Sequence, residues 1–228
     1  MAKVSLANHM KERRSETGRL PERIGPFVTI SRQFGCYGFS LGLLMMEILN
    51  EDAPPERTWH IYNREILERL ATETNLASEM LDALRREKPS LIVDFFRALS
   101  MERIPSGYEI RNRITTIIRG LAIKGFAILV GQGGSAATSD LPNGISVRLE
   151  APQDWRVKQI ARREGISLQA ARVKVAAMEE QREHLRQIYQ AGLRRDPPFD
   201  ILYDCSNFTL AQIAQHVVYA MKLKGIVG

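Results

Sequence analysis

The stretch PFVTISRQFGCYGFSLG, residues 26–42, holds the residue types that a phosphate cradle needs. A β-rich apolar run, Phe27 to Ser31, leads into a loop containing Gly35 and Gly38, and a helix-like run starts at Leu41. Glycines let backbone N–H groups turn inward, and a helix N-terminus adds partial positive charge. The loop Gly35-Cys36-Tyr37-Gly38-Phe39-Ser40 would thus bind phosphate through its backbone, with the Ser40 hydroxyl available to Mg²⁺. The usual Lys before that hydroxyl, which reaches the terminal phosphates, is missing, and Arg32 is the nearest cation. The plain alternative is a tight strand-to-helix turn with no ligand.

Three further groups carry candidate chemistry. Arg182, Arg186 and Tyr189 recur at i, i+4 and i+7, one face of a helix. Two guanidiniums there would clamp phosphates and stabilise charge in a transition state, or else pair with Glu179 and Glu183 on a solvated face. Asn63-Arg64 follows a short apolar run, so Arg64 would meet an acceptor phosphate, or Asn63 would cap a helix with Arg64 solvated. Gly131-Gln132-Gly133-Gly134 allows close backbone approach to a ligand. Cys36 has no His in a suggestive pattern and reads as a small loop residue. His60 and His184 have no metal spacing, and Met45-Met46 is core.

The elements that would position these residues alternate. Strands are expected at 27–31, 59–62, 125–130, 145–149 and 199–203. Helices are expected at 37–50, in several pieces over 63–124, through 153–190 and at 209–224. Such alternation predicts an α/β domain with a parallel sheet, whose ligands gather at the carboxyl ends of the strands. The loops at 32–40, 63–64 and 131–135 all lie at such ends and should face one cleft. Residues 1–24 read as a flexible basic tail, and 25–228 as one domain.

The formal charge is +6, of which residues 1–25 carry +3 and residues 151–195 carry +5, leaving the rest at −2. A basic segment of that kind suits polyphosphate or nucleic acid. No apolar run approaches the ~18 residues of a membrane span. Two cysteines in a chain of this size read as reduced thiols of a cytoplasmic protein.

Five segments then occur in a telling order: ISRQFG at 30–35, IYNREIL at 61–67, IRGLAIKGFAILVGQGG at 118–134, LEAPQDWRVKQIARREGIS at 149–167, and EHLRQIY at 183–189 followed by FDILYDCSN at 199–207. Over roughly residues 26–224 the chain resembles the cytidylate-kinase-like branch of the P-loop nucleoside monophosphate kinases. The resemblance implies the P-loop NTPase fold: a five-stranded parallel sheet of order 2-3-1-4-5 flanked by helices, a helical monophosphate-binding insert at 64–124, and a lid at about 160–195. It implies transfer of the terminal phosphoryl group of ATP, with Mg²⁺, to a nucleoside monophosphate, CMP or dCMP.

Carried over residue by residue, the resemblance gives the ATP phosphates to Gly35, Cys36, Tyr37, Gly38, Phe39 and Ser40, with Arg156 and Arg162 of the lid. Ser40 would also hold the metal. The acceptor falls to Asn63, Arg64, Gly131, Gln132 and Gly133, and charge stabilisation to Arg182, Arg186 and Arg32. Cys36 and Tyr37 depart from the family's Ser and small residue, and three positions depart where charge is usual: Phe39 stands where Arg follows the loop Gly, Asn63 where Asp is common, and Gln132 where Gly-Arg-Gly is usual. Each removes charge, so a degenerate member that binds nucleotide and transfers poorly is the alternative reading. A third reading is DNA binding, because 159–171 mimics a helix-turn-helix. Only Gln169 would read bases there, which disfavours a nucleic-acid partner. Oligomeric state is not legible.

Overall fold

The computed structural model describes residues 24–67, 107–190 and 199–228, with 107–112 and 184–190 described as backbone alone. The expected tail, apart from the buried Ile24, lies outside the described residues, as does the middle of the expected insert, 68–106.

Strands β1 (Phe27–Arg32), β2 (His60–Tyr62), β3 (Ala127–Val130), β4 (Gly144–Glu150) and β5 (Ile201–Asp204) form one sheet in the order β2-β3-β1-β4-β5. All four pairings are parallel, as expected. The helices are α1 (Gly38–Asn50), α2 (Gly107–Lys124), the single turn α3 (Gly134–Ala137), α4 (Gln153–Glu164), α5 (Leu168–Gln190) and α6 (Leu210–Leu223).

Strand periodicity sorts the core into two layers. Val28, Ile30, Ile128, Val130, Ile145, Val147 and Leu149 pack with Leu41 and Met45 of α1 and Ile213, Val217 and Met221 of α6. Phe27, Ala127 and Leu129 pack on the opposite face with Ile114, Ile118 and Leu121 of α2. Each fully buried aliphatic side chain contributes about 1.5–3 kcal/mol. The alternation has a second effect. On β4 it sends Ile145, Val147 and Leu149 to one face, and Ser146 and Arg148 to the other. The register pairs Arg148 with Ser31 of β1.

Some edges differ from expectation. β3 begins at Ala127 because Gly125 (φ 88°) and Phe126 (φ 51°) make a left-handed turn before it. β5 begins at Ile201 because the Asp200 carboxylate accepts hydrogen bonds from the backbone N–H and hydroxyl of Ser146, at 2.7 and 2.8 Å, ahead of the ladder. The helical stretch 153–190 breaks at Gly165 (φ 65°), where the Ile166 N–H reaches back to the Ala161 carbonyl at 3.2 Å. The Ser167 hydroxyl then caps α5 by accepting from the Ala170 N–H at 3.2 Å.

Candidate functional site

The loop between β1 and α1 has positive φ at Gly35 (98°) and at Tyr37 (46°), with Cys36 between them. Alternating left- and right-handed residues turn successive N–H groups to one side, the geometry of an anion-binding nest. The rest of the loop is braced. The Phe34 N–H donates to Glu179 Oε2 at 3.0 Å, the Tyr37 hydroxyl to the Gln159 carbonyl at 3.0 Å, and the Cys36 N–H to the Gln33 carbonyl at 3.3 Å. Arg156, 6% exposed, donates to the carbonyls of Ala151 and Phe34 and pairs with Glu179 at 2.8 Å. The Phe34 ring inserts between α4 and α5 against Val157, Ile160, Ala171 and Val175. The neighbouring Cys205 thiol, with burial, pushes the Cys36 thiol up, away from nucleophile chemistry.

Beside this loop, at the carboxyl ends of β1, β3 and β4, lies a cleft of about 180 Å³. Its walls are Ser31 and Arg32, the turn Gly131–Ala136, Arg64, Arg148, Phe199, and Met178, Gln181 and Arg182 of α5. Arg32 joins cleft and loop. Its stem passes Gly38, where a Cβ would lie 3.2 Å from the Arg32 Cγ and Cδ, and its head rests on Gly131, where a Cβ would overlap Nη1. Gly131 is thus glycine for two reasons, the guanidinium above it and φ of 80°. At Gly38, which the resemblance lays on the usual Lys, a side chain would crowd the Arg32 stem.

The charges here are unbalanced. Among the described residues, the Arg32 guanidinium has no hydrogen bond or ion pair. Burial first, then the like charges of Arg182 and Arg148, push it down to about 10. Burial also lowers Arg182, whose Nη1 donates to the Arg32 carbonyl at 3.3 Å and whose head lies 5.1 Å from the Phe34 ring centre. Such mutual repulsion costs free energy and favours an anion within the cleft.

The expected site residues divide. Arg32, Arg64, Gly131, Gln132, Gly133 and Arg182 share the cleft. Gly35, Cys36, Tyr37 and Gly38 form the neighbouring loop, with Phe39 and Ser40 exposed on the first turn of α1. Arg156 is engaged in bracing. Arg162 is exposed on α4, while Arg163 beside it lies over the Tyr37 ring at 5.4 Å. Asn63 Oδ1 accepts from the Ile66 N–H at 3.0 Å, capping the helical turn that carries Arg64. The Arg186 side chain lies outside the described residues. Sequence reasoning missed Arg148, although an arginine inside the apolar run ISVRL was the signal.

Among the described residues no three His, Cys, Asp or Glu side chains gather as a metal site. One exposed hydroxyl, Ser40, suits a Mg²⁺ that arrives on a polyphosphate rather than one caged by protein. No helix of the described residues is long and apolar enough to cross a membrane.

Residues 27–207 match the cytidylate kinase-like family. A search of curated proteins finds no match. Among solved structures, an uncharacterized protein from Eubacterium ventriosum superposes with a TM-score of 0.60 at 20% identity, over 86% of this chain and 98% of that one. A protein from Thermus thermophilus gives a TM-score of 0.47 at 15% identity, over 90% and 100%.

Proposed function

The chain belongs to the cytidylate kinase-like family, and from that premise we propose that it transfers the terminal phosphoryl group of ATP to a nucleoside monophosphate, CMP or dCMP. The observation that carries this reading is the Arg32 guanidinium, half-buried at the strand ends with like charges around it and no counter-ion among the described residues. A site of that kind is completed by phosphate.

In this reading a phosphate oxygen of the acceptor attacks the terminal phosphorus of ATP. The bond to the bridging oxygen breaks, and ADP and a nucleoside diphosphate leave. The N–H groups of the Gly35–Ser40 loop, other than that of Cys36, hold the donor phosphates. Arg32, whose stem passes beside the place of the usual Lys, presents its charge between donor and acceptor. Arg64 and the turn Gly131-Gln132-Gly133 hold the acceptor, with Asn63 fixing the helical turn that carries Arg64. Arg182 and Arg186 offset charge on the moving phosphoryl group. Arg156 holds the loop against the α4–α5 hairpin, and Arg162 stands at the outer face of that hairpin. Mg²⁺, met by Ser40, would neutralise charge across the donor phosphates when bound.

The segment resembling a helix-turn-helix has another use here. Ala161, Ile166 and Ala171 enclose Phe34, which favours the phosphotransferase over a DNA-binding role. The free thiols Cys36 and Cys205 suit a reducing cytoplasm.

Coupled ADP release with MgATP and, in turn, CMP, dCMP, UMP and AMP tests the reading. We expect CMP or dCMP to raise ADP release, at a rate below the ~1–100 s⁻¹ of ordinary kinases, because Phe39, Asn63 and Gln132 bring no charge. No acceptor-dependent release would remove the reading. The loop bracing by Glu179, Gln159 and Gln33 favours a second reading, a degenerate member that binds nucleotide without transfer. Calorimetric binding of MgATP without turnover would select it.

A further inference from the structure

We propose that Arg148 is a phosphate-gripping residue of the cleft, completing with Arg32 and Arg182 a three-guanidinium site selective for a phosphomonoester dianion. The inference rests on the reading of this cleft as the acceptor site and assigns it a residue from the middle of a strand.

Arg148 is 7% exposed and sits in β4 between Val147 and Leu149, both fully buried toward the opposite face. Three contacts fix its direction. Nε pairs with Glu150 Oε1 at 3.0 Å, Nη1 donates to the Ser31 hydroxyl at 2.9 Å, and the guanidinium lies 5.8 Å from the centre of the Phe199 ring. Glu150 therefore takes the inner edge of the fork. Nη2 has no hydrogen-bond partner among the described residues, and Arg148 is part of the cleft wall.

Register makes this arrangement. Ser31 and Arg148 are paired residues of adjacent parallel strands, so both side chains leave the same face. Arg32 follows Ser31 and leaves the other face, then curls over the strand end onto Gly131. Arg182 reaches in from α5. Three guanidiniums thus approach one volume from a strand, a strand end and a helix. Glu150 is the one carboxylate paired with any of them among the described residues. A monoester dianion with three terminal oxygens can satisfy three forks at once, whereas a carboxylate or a phosphodiester has fewer charged oxygens to offer. The same charge answers the loss at Gln132, where a guanidinium is usual.

The test is a titration of inorganic phosphate, with no nucleotide present, followed by calorimetry or NMR shifts. It uses the full chain, Arg148→Met, Arg148→Lys, and Lys222→Met as a charge control on the far helix α6. We expect Arg148→Met to weaken phosphate about 10- to 100-fold, with Lys222→Met unchanged. Arg148→Lys, which keeps the charge and loses the fork, should weaken it about threefold to tenfold. A melting curve of each variant reports folding. If Arg148→Met does not fold, Arg148→Lys decides. Competition separates ligand classes: CMP should displace phosphate and cytidine should not. Phosphate affinity in Arg148→Met or Arg148→Lys within twofold of the parent would overturn the inference, as would a parent that does not bind phosphate. A parent that binds phosphate through Arg148 yet transfers nothing from ATP leaves the inference standing and removes the kinase reading alone.

Discussion

Two arginines, Arg156 buried and Arg32 half-buried, border the same loop and mean opposite things. Arg156 has a complete set of partners: the carbonyls of Ala151 and Phe34, and the Glu179 carboxylate. Arg32 has none among the described residues, only like charges nearby. A guanidinium taken out of water must recover its lost hydration. Where protein groups supply the replacement, the arginine is scaffold. Where they do not, the missing partner is a ligand. The braced β1–α1 loop and the arginine cleft, which share Arg32, differ in just this respect.

Substitutions at the two arginines should separate the regions. Arg156→Met strands the Glu179 carboxylate and two carbonyls, and should cost about 3 kcal/mol of stability, read by urea unfolding. A loss below about 1 kcal/mol, the size of a single ordinary hydrogen bond, would erase the contrast. Arg32→Met should leave stability unchanged or slightly raised, because it removes a desolvated like charge, yet lower acceptor-dependent ADP release by about 10²–10³. Equal losses of stability at both positions would break the comparison.

The Arg32 shift carries a pH signature. Folding lowers its pKa to about 10 from 12.5. The group is cationic at neutral pH, and its share of phosphate affinity should fall only as pH rises through about 10. Between those two values the unfolded chain holds the proton that the folded chain has released, so the contribution of Arg32 to stability rises with pH. Phosphate titrations from pH 7 to 11, compared between the parent and Arg32→Met, isolate this term.

A smaller gain should follow from adding charge. Phe39→Arg with Gln132→Arg should raise transfer about tenfold, a fraction of what one such group typically contributes, with ADP release as the readout. No gain would mean that Arg32, Arg148 and Arg182 already supply the charge. The smallest effect belongs to the braced loop. Tyr37→Phe removes the hydroxyl bonded to the Gln159 carbonyl and should cost about 1 kcal/mol, measured by thermal unfolding, with transfer nearly unchanged.

Much of the fold was legible because its signals are local. Apolar runs of four to seven residues between helical patterns point to buried parallel strands, and the order 2-3-1-4-5 that the family resemblance implied is the order found. The break between α4 and α5 was not expected within 153–190, although Gly165 and Ser167 carry its signal, since left-handed φ and helix capping are properties of a few adjacent residues. Edges such as Phe126 and Asp200 were less legible, because contacts from distant segments decide them. The site was legible in part. Strand ends identify Arg32, Arg64 and the 131–133 turn as neighbours, whereas Arg156 and Arg182, both arginines of the same helical stretch, looked alike in sequence.

By itself, then, the sequence determined the strands, the glycine loop, the missing Lys and the basic stretch after β4, because periodicity and residue type are written along the chain. Only the tertiary structure decided which cations have partners. Whether Glu179 meets Arg156 or Arg182, whether Arg32 lies over Gly131, and that Arg148 faces Ser31 across the register depend on how separate elements pack against one another. Electrostatic balance in a cleft is a sum over such neighbours, and no local pattern records that sum.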